Sequence, residues 1–316
     1  MSYDIPDRFP CPFCESRLGR LEYVSCGQSI SAVAEISDCE RSPGGGAILV
    51  WPKRHVELLS QLTDLEARDI ANLLHQTSSA ITRALEPQAF HTFCSAGSLV
   101  GQSEAHMHFQ IQPRYCGRHY SFESARDLPT VKMADRKVIA AKVSEHLRLA
   151  HSDVDLESLA FGDSYELLGG ISATELERLI VTDASRFLAL CHPNSRGAES
   201  ILVVSKSDVP TFLGLERDER EQLILLVRDL ARAVEETFDP DGLSVWWETG
   251  HDAGQLGRQL AVEIVPRFHK SKYVYQNRID LAPVNVDNLA RVAAKYRKIF
   301  NLGQKSVANV DVLAMK

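Results

Sequence analysis

The sequence lacks a long apolar run, an excess of basic residues and a signal peptide. Its longest uncharged apolar run, residues 223–227, is far shorter than the roughly 20 residues of a membrane-spanning helix. The N-terminus is acidic and has no apolar stretch, which predicts no export signal. A net charge of −7 argues against nucleic acid, because nonspecific binding needs a basic surface. We therefore expect a cytoplasmic protein with neither a membrane nor a nucleic-acid partner.

The sequence also lacks the even set of cysteines that a disulfide framework needs. Seven cysteines are present, and six of them lie in the first 116 residues. In a reducing compartment, thiols or metal ligands are expected instead of disulfides. A length of 316 residues with 44% apolar and 24% charged residues is typical of a globular chain of about two domains.

The two halves of the chain resemble each other at a shift of 153 residues, with no gap from residue 48 to residue 114. Ile48-Leu49-Val50 falls on Ile201-Leu202-Val203, and Gly101-Gln102 falls on Gly254-Gln255. Because turn residues and apolar residues both keep their register, we expect two copies of one structural unit.

Each copy predicts a strand, a long helix, an extended segment, a glycine-containing loop and a final strand. The first helix follows a capping box of Thr63 and Glu66, with Leu65 counted on its apolar face. The second helix is predicted over residues 218–238. We expect an α+β fold in which each repeat is an antiparallel sheet with a long helix, and the two repeats form an intramolecular pseudo-dimer.

Two further helices are predicted outside the copies, over residues 134–149 and 286–300. The chain then divides into a first domain (1–120), a helical linker (121–155), a second domain (156–270) and a C-terminal helical tail (271–316).

Residues 105–111 alternate between apolar and polar side chains, which predicts a strand. The polar residues that share one face of this strand are His106, His108 and Gln110. Neutral imidazole is a nucleophile, a metal ligand or a general base. A solvent-facing strand with two incidental histidines is the alternative.

Cys11-Pro12-Phe13-Cys14 has the spacing of half a tetrahedral zinc site. Because no second Cys-x-x-Cys follows, the remaining ligands should be histidines, with His55 and His106 as candidates. Buried thiols and a redox pair are the alternatives, and the absence of a thioredoxin-like βαβ pattern disfavours the redox pair.

Together these motifs resemble the histidine triad (HIT) superfamily. The resemblance covers residues 8–115 with specific motifs and about 180–268 more weakly through the repeat. HIT hydrolases have a third histidine at the position of Gln110. The His-x-His-x-Gln form resembles the transferase branch, which includes galactose-1-phosphate uridylyltransferase and diadenosine tetraphosphate phosphorylase.

The resemblance implies catalytic roles for two residues. His108 would attack the α-phosphorus of a nucleotide to form a nucleotidyl-histidine. Gln110 would hydrogen-bond the phosphate oxygens of that intermediate. Because an amide activates water less well than histidine does, glutamine favours transfer to an acceptor over hydrolysis.

The resemblance also implies a closed, structural zinc site. Its four ligands would be Cys11, Cys14, His55 and His106.

Substrate contacts follow from the same resemblance. Gln102 and Ser103 would donate to the phosphate, and Ser95 stands where many HIT proteins have asparagine. Uridylyltransferases usually have proline between the two histidines, where this chain has Met107. That difference puts hexose-1-phosphate specificity in doubt.

The second copy has lost this chemistry. At the shift of 153, Ala261 replaces His108 and Glu263 replaces Gln110. Because alanine is no nucleophile, the first domain is expected to be catalytic and the second degenerate.

His192 shows no metal-ligand spacing and is expected at the surface.

The resemblance therefore implies a nucleotidyltransferase or phosphorylase acting on a nucleoside di- or polyphosphate compound. The nucleotide would pass to a phosphate or sugar-phosphate acceptor. The alternatives are a phosphohydrolase that uses water and a nucleotide-binding protein with vestigial chemistry. Family members are often dimers, so a homodimer is compatible with this interpretation.

Overall fold

In a computed structural model of the chain, the described residues are 3, 10–17, 25–37, 47–102, 104–115, 179–192, 199–250, 253, 255 and 258–269. The helices predicted over residues 134–149 and 286–300 lie outside these residues. Within the described part of the chain, no helix has the length and apolar character to span a membrane.

The described residues of the first half form five strands and two α-helices. In chain order these are α1 (Pro12–Arg17), β1 (Ser25–Gln28), β2 (Ala32–Ile36), β3 (Ile48–Pro52), α2 (Asp64–Leu85), β4 (Ala89–Ala96) and β5 (Phe109–Arg114). The predicted capping box is confirmed, since Thr63 Oγ1 accepts from the Glu66 backbone N–H at 3.3 Å. Leu65 was wrongly counted on the apolar face, because its position in the first turn leaves it 61% exposed.

The second half repeats this order of strands around one long helix. Its elements are β6 (Ile180–Ala184), β7 (Phe187–Cys191), β8 (Ile201–Ser205), α3 (Arg217–Phe238), β9 (Gly242–Thr249) and β10 (Ala261–Arg267). The helix predicted over residues 218–238 is confirmed, with a start one residue earlier. The bounds of β8, α3 and β9 lie 153 residues after those of β3, α2 and β4.

The described strands form one antiparallel, 10-stranded sheet in the order β1-β2-β3-β5-β4-β9-β10-β8-β7-β6. Its centre is the pairing of β4 with β9, from Phe90 opposite Thr249 to Ala96 opposite Leu243. Strands β4 and β9 therefore join the two halves. The last strand of each half, β5 or β10, pairs only with strands of its own half. The fold is α+β with a large antiparallel sheet.

Helices α2 and α3 contact each other and the sheet. The apolar core includes Phe109 and Trp247, whose ring centroids are 5.8 Å apart. Trp247 also lies 5.3 Å from the ring of Phe212. Because side chains alternate along a strand, the neighbours His108 and Trp246 belong to the opposite face. The polar residues of the predicted site therefore lie on the sheet face that the two long helices leave uncovered.

A glutamine side chain closes the loop that follows the central strand in each half. Gln102 Oε1 accepts from the Gly97 N–H at 2.7 Å, and Gln102 Nε2 donates to the Glu57 carbonyl at 3.2 Å. Gln255 makes the corresponding bonds at 2.6 Å each, to Gly250 and Pro210.

Replacing either glutamine by alanine should therefore destabilise the protein to a similar extent. Gln102→Ala and Gln255→Ala each leave two backbone groups without this partner, at a cost of about 1–3 kcal/mol in the free energy of unfolding. Urea denaturation measures the loss, with Gln222→Ala on the exposed face of α3 as the control. Unchanged stability of Gln102→Ala would contradict the stabilising role of these two hydrogen bonds.

Candidate active site

The four predicted metal ligands come together from three parts of the chain. Cys11 and Cys14 flank the start of α1, His55 follows β3, and His106 precedes β5. Their two sulfur atoms and two Nδ1 atoms all lie within 4.8 Å of one another. Cys11 and His106 are buried, whereas His55 is exposed.

The spacing of these atoms fits a zinc ion. Cys11 Sγ lies 3.5 Å from His106 Nδ1, and Cys14 Sγ lies 3.5 Å from His55 Nδ1 and 3.7 Å from His106 Nδ1. Zn–S and Zn–N bonds of ordinary length give a tetrahedral S···N edge of about 3.6 Å. The donor set and its spacing are therefore those of a closed structural zinc site.

A backbone hydrogen bond sets the tautomer that His106 needs as a ligand. Its Nε2 lies 2.8 Å from the carbonyl oxygen of Pro52, so Nε2–H donates there. The lone pair of a neutral imidazole is then on Nδ1, which faces the two sulfur atoms. A hydrogen bond from the nitrogen that does not face the metal is what usually orients a metal-ligating histidine.

His108 has the opposite tautomer. Its Nδ1 lies 2.9 Å from the backbone oxygen of His106 and donates to it, which leaves the lone pair on Nε2. Gln110 Nε2 lies 3.2 Å from His108 Nε2 and donates to it. Both side chains are 7% exposed. A neutral imidazole with a directed lone pair is a nucleophile or a base.

A thiol lies beside the His108 backbone, with the His108 N–H donating to Cys94. Burial raises the pKa of the Cys94 thiol to about 12, and the nearby carboxylate of Glu235 adds to the shift. Since the thiolate is the reactive form of cysteine, Cys94 stays protonated and inert next to the histidine.

Ser95 follows Cys94, the residue of β4 that pairs with Phe109 at the start of β5. Ser95 itself pairs with Ser244 of β9. A serine of the second half therefore lies next to Ser95 at this end of β4, which the sequence did not indicate.

The other two predicted substrate contacts have different outcomes. Both polar atoms of the Gln102 amide hydrogen-bond the backbone, and the side chain is 2% exposed. Its evident task is to hold the loop, and the matching bonds of Gln255 were a signal of this. Ser103 lies outside the described residues.

The strand predicted over residues 105–111 begins too early, since β5 begins at Phe109. The preceding segment pairs with a loop instead: the Met107 N–H donates to the carbonyl oxygen of Val56 at 2.7 Å. Proline has no N–H, so it could not make this bond. Met107, at the position where uridylyltransferases usually have proline, therefore makes a backbone hydrogen bond that proline could not make.

The equivalent position in the second half has other side chains. Ala261 pairs with Val204 of β8, and on the neighbouring strand β9 Glu248 Oε1 lies 3.2 Å from His91 Nδ1. Glu263 Oε2 lies 3.7 Å from His192 Nε2. His192 is only 2% exposed, so its predicted surface position is wrong: it packs against this carboxylate. The described residues hold no second cluster suited to a metal.

Comparison with known proteins identifies relatives that match about a third of the chain. A family model described as HIT domain matches residues 173–270. Protein hit of Bacillus subtilis is 30% identical over 107 residues, which are 33% of this chain and 71% of that protein. Adenosine 5'-monophosphoramidase hnt1 of Schizosaccharomyces pombe is 27% identical over 104 residues, which are 33% of this chain and 74% of that protein.

A solved structure resembles most of the chain. An ADP-glucose phosphorylase from Arabidopsis thaliana with bound ADP-glucose matches with a TM-score of 0.54, covering 91% of each chain at 13% identity. At this identity the likeness concerns the fold alone. The match to protein hit extends over more than two thirds of that protein, and the chain belongs to the HIT family.

Proposed function

We propose that this protein is a nucleotidyltransferase or phosphorylase of the HIT transferase branch. The observation that carries the proposal is the His108 imidazole, which directs its Nε2 lone pair toward the amide of Gln110 beside a complete Cys2His2 set. Its substrate would be a nucleoside di- or polyphosphate compound. The fold shared with the ADP-glucose phosphorylase supports this choice.

The reaction would proceed in two displacements at one phosphorus atom. His108 Nε2 forms a bond to the α-phosphorus, while the bond to the bridging oxygen breaks and the phosphate-containing leaving group departs with its electron pair. An oxygen of a phosphate or sugar-phosphate acceptor then attacks the same phosphorus and releases Nε2. Covalent catalysis of this kind replaces one difficult step by two easier ones.

Gln110 would bind the phosphate in this reaction without acting as an acid or base. Its Nε2 hydrogens, one of which reaches His108 Nε2 at 3.2 Å, would turn to a non-bridging oxygen once Nε2 carries phosphorus. Ser95 and Ser103 would supply further donors. Since an amide does not take a proton from water at neutral pH, the intermediate would persist until an acceptor arrives.

We also propose that the two halves are tandem HIT-like repeats that form a pseudo-dimer. Two pairs of residues 153 positions apart meet: Phe93 is the register partner of Trp246, and Arg68 Nη1 lies 3.0 Å from Glu221 Oε2. Equivalent residues touch only near a two-fold axis, so these pairs support a pseudo-two-fold axis. The catalytic domain would then be residues 1–120 and the degenerate domain 156–270, with 121–155 as linker and 271–316 as tail.

The covalent intermediate gives a direct test. Incubation with radiolabelled nucleotide sugars and dinucleoside polyphosphates, followed by an alkaline quench, should leave acid-labile label on the protein. His108→Ala should abolish labelling, because the nitrogen proposed to attack phosphorus is lost, whereas His269→Ala, at an exposed histidine of the second half, should not. Labelling that persists in His108→Ala would contradict the assignment. Tight nucleotide binding without turnover would indicate a vestigial binding protein.

A phosphohydrolase on the same scaffold is the second candidate, and one relative favours it. The matched Schizosaccharomyces pombe protein is named as an adenosine 5'-monophosphoramidase. The acceptor distinguishes the two functions. Transfer predicts that turnover rises at least about tenfold when phosphate or a sugar phosphate is added, whereas equal turnover without an acceptor would establish hydrolysis.

The metal would have a structural role in this proposal. Zinc bound by Cys11, Cys14, His55 and His106 has four protein ligands and no open position. It would fasten the N-terminal segment to the residues that precede β5. Cys11 and Cys14 form no disulfide, which is compatible with the reducing, cytoplasmic location proposed here.

Metal analysis of the purified protein should give about one zinc per chain. Cys14→Ser should lose most of that zinc and melt at a lower temperature, because metal binding contributes to the free energy of folding. Cys191→Ser, at a buried cysteine of the second half that forms no disulfide, should keep its zinc. A metal-free wild-type protein of unchanged stability would contradict the structural site.

A further inference from the structure

Phe13 joins the metal-ligand cluster to the catalytic histidine through its ring. The residue lies between Cys11 and Cys14 in the chain and is 3% exposed. Its ring meets His106 at 5.4 Å and 85°, and His108 at 5.3 Å and 68°. One aromatic ring is therefore in edge contact with both a metal ligand and the proposed nucleophile.

The position of this ring is fixed on its other side by Trp51. The two rings stack with centroids 5.2 Å apart at 18°, and Trp51 is fully buried. Phe13, Trp51, Cys11 and Val33 form a small apolar cluster separate from the main core. Because the cluster is closed and apolar, the ring of Phe13 has little freedom to rotate away from His108.

The hydrogen bonds of His108 hold its imidazole at the two nitrogen atoms. Nδ1 donates to the His106 oxygen, and Nε2 accepts from the flexible Gln110 side chain, a bond that substrate would displace. The edge contact with Phe13 is a further constraint on the orientation of the ring, and a bound substrate would leave it in place.

We propose that Phe13 is a positioning residue for His108 and keeps the Nε2 lone pair in line with the incoming phosphorus. This inference rests on the proposed function. Two links then run from the metal-ligand cluster to the nucleophile: the backbone oxygen of His106, and the ring held between Cys11 and Cys14. Phe13 itself touches no reacting atom.

The test compares Phe13→Leu and Phe13→Met, which remove the ring, with Phe13→Tyr, which retains it. Misplacing a reacting group by about 1 Å costs on the order of a hundredfold in rate. We therefore expect kcat of the Leu and Met variants to fall by about tenfold or more, with KM and zinc content unchanged. Phe13→Tyr should retain activity.

The matched control is Phe212→Leu, the same change at an equally buried phenylalanine, 2% exposed, against Trp247. It should lower stability without changing kcat. A wild-type kcat in Phe13→Leu or Phe13→Met would overturn the proposal. A fall in kcat that only tracks lost zinc would also overturn it, because Phe13 would then act through metal binding alone.

Histidine nitrogen NMR gives a readout that needs no substrate. In the wild type, His108 should show a protonated Nδ1 and an unprotonated Nε2 in slow exchange, and the ringless variants should show an averaged tautomer signal. If no donor turns over, the proposed function fails while this measurement still tests Phe13. Unchanged nitrogen signals in the ringless variants would overturn the positioning role.

Discussion

The antiparallel pairing of β4 with β9 is the interaction on which the site depends. It joins the two halves into one sheet, from Phe90 opposite Thr249 to Ala96 opposite Leu243. The pairing places Ser244 next to Ser95, one residue after the pair of Cys94 with Phe109. The second half thus supplies the strand next to β4, and both halves build the sheet surface at Ser95.

On the helix side, an ion pair joins two positions that are equivalent at the shift of 153 residues. Arg68 and Glu221 contact each other at 3.0 Å. Burial raises the pKa of Glu221, but hydrogen bonds from Asn72, Arg217 and Arg68 outweigh it and bring the pKa to about 2. In the proposed pseudo-dimer, two identical halves would place like side chains here, so the opposite charges favour pairing between unlike halves.

Much of the fold could be predicted because its signals are local. The capping box at Thr63 fixed the start of α2, and the repeat transferred the helix and strand bounds to the second half. The order of strands across the sheet is not local, since β5 lies between β3 and β4. The alternation of apolar and polar residues along a strand does not specify which other strands lie next to it.

The site was predictable only where residue type and function coincide. Cysteine and histidine are rare and chemically distinctive, so the four residues of the metal cluster could be named from spacing and resemblance. Phe13 and Ser244 are common residue types, and they matter here only because of what they contact. Gln102 is a different case: its place in a motif predicted a substrate contact, and the structure adds that its amide hydrogen-bonds the backbone.

The two histidines before β5 are linked through their tautomers. Pro52 accepts from Nε2 of His106, so that ring offers Nδ1 to the sulfur atoms, and the backbone oxygen of His106 accepts from Nδ1 of His108. The second ring must then offer Nε2. Each proton position follows from a backbone carbonyl whose location the cluster of ligands helps to fix. Under the proposed function, a closed metal site performs no chemistry itself. Its place two residues from the proposed nucleophile would let it help to fix which nitrogen of His108 carries the lone pair.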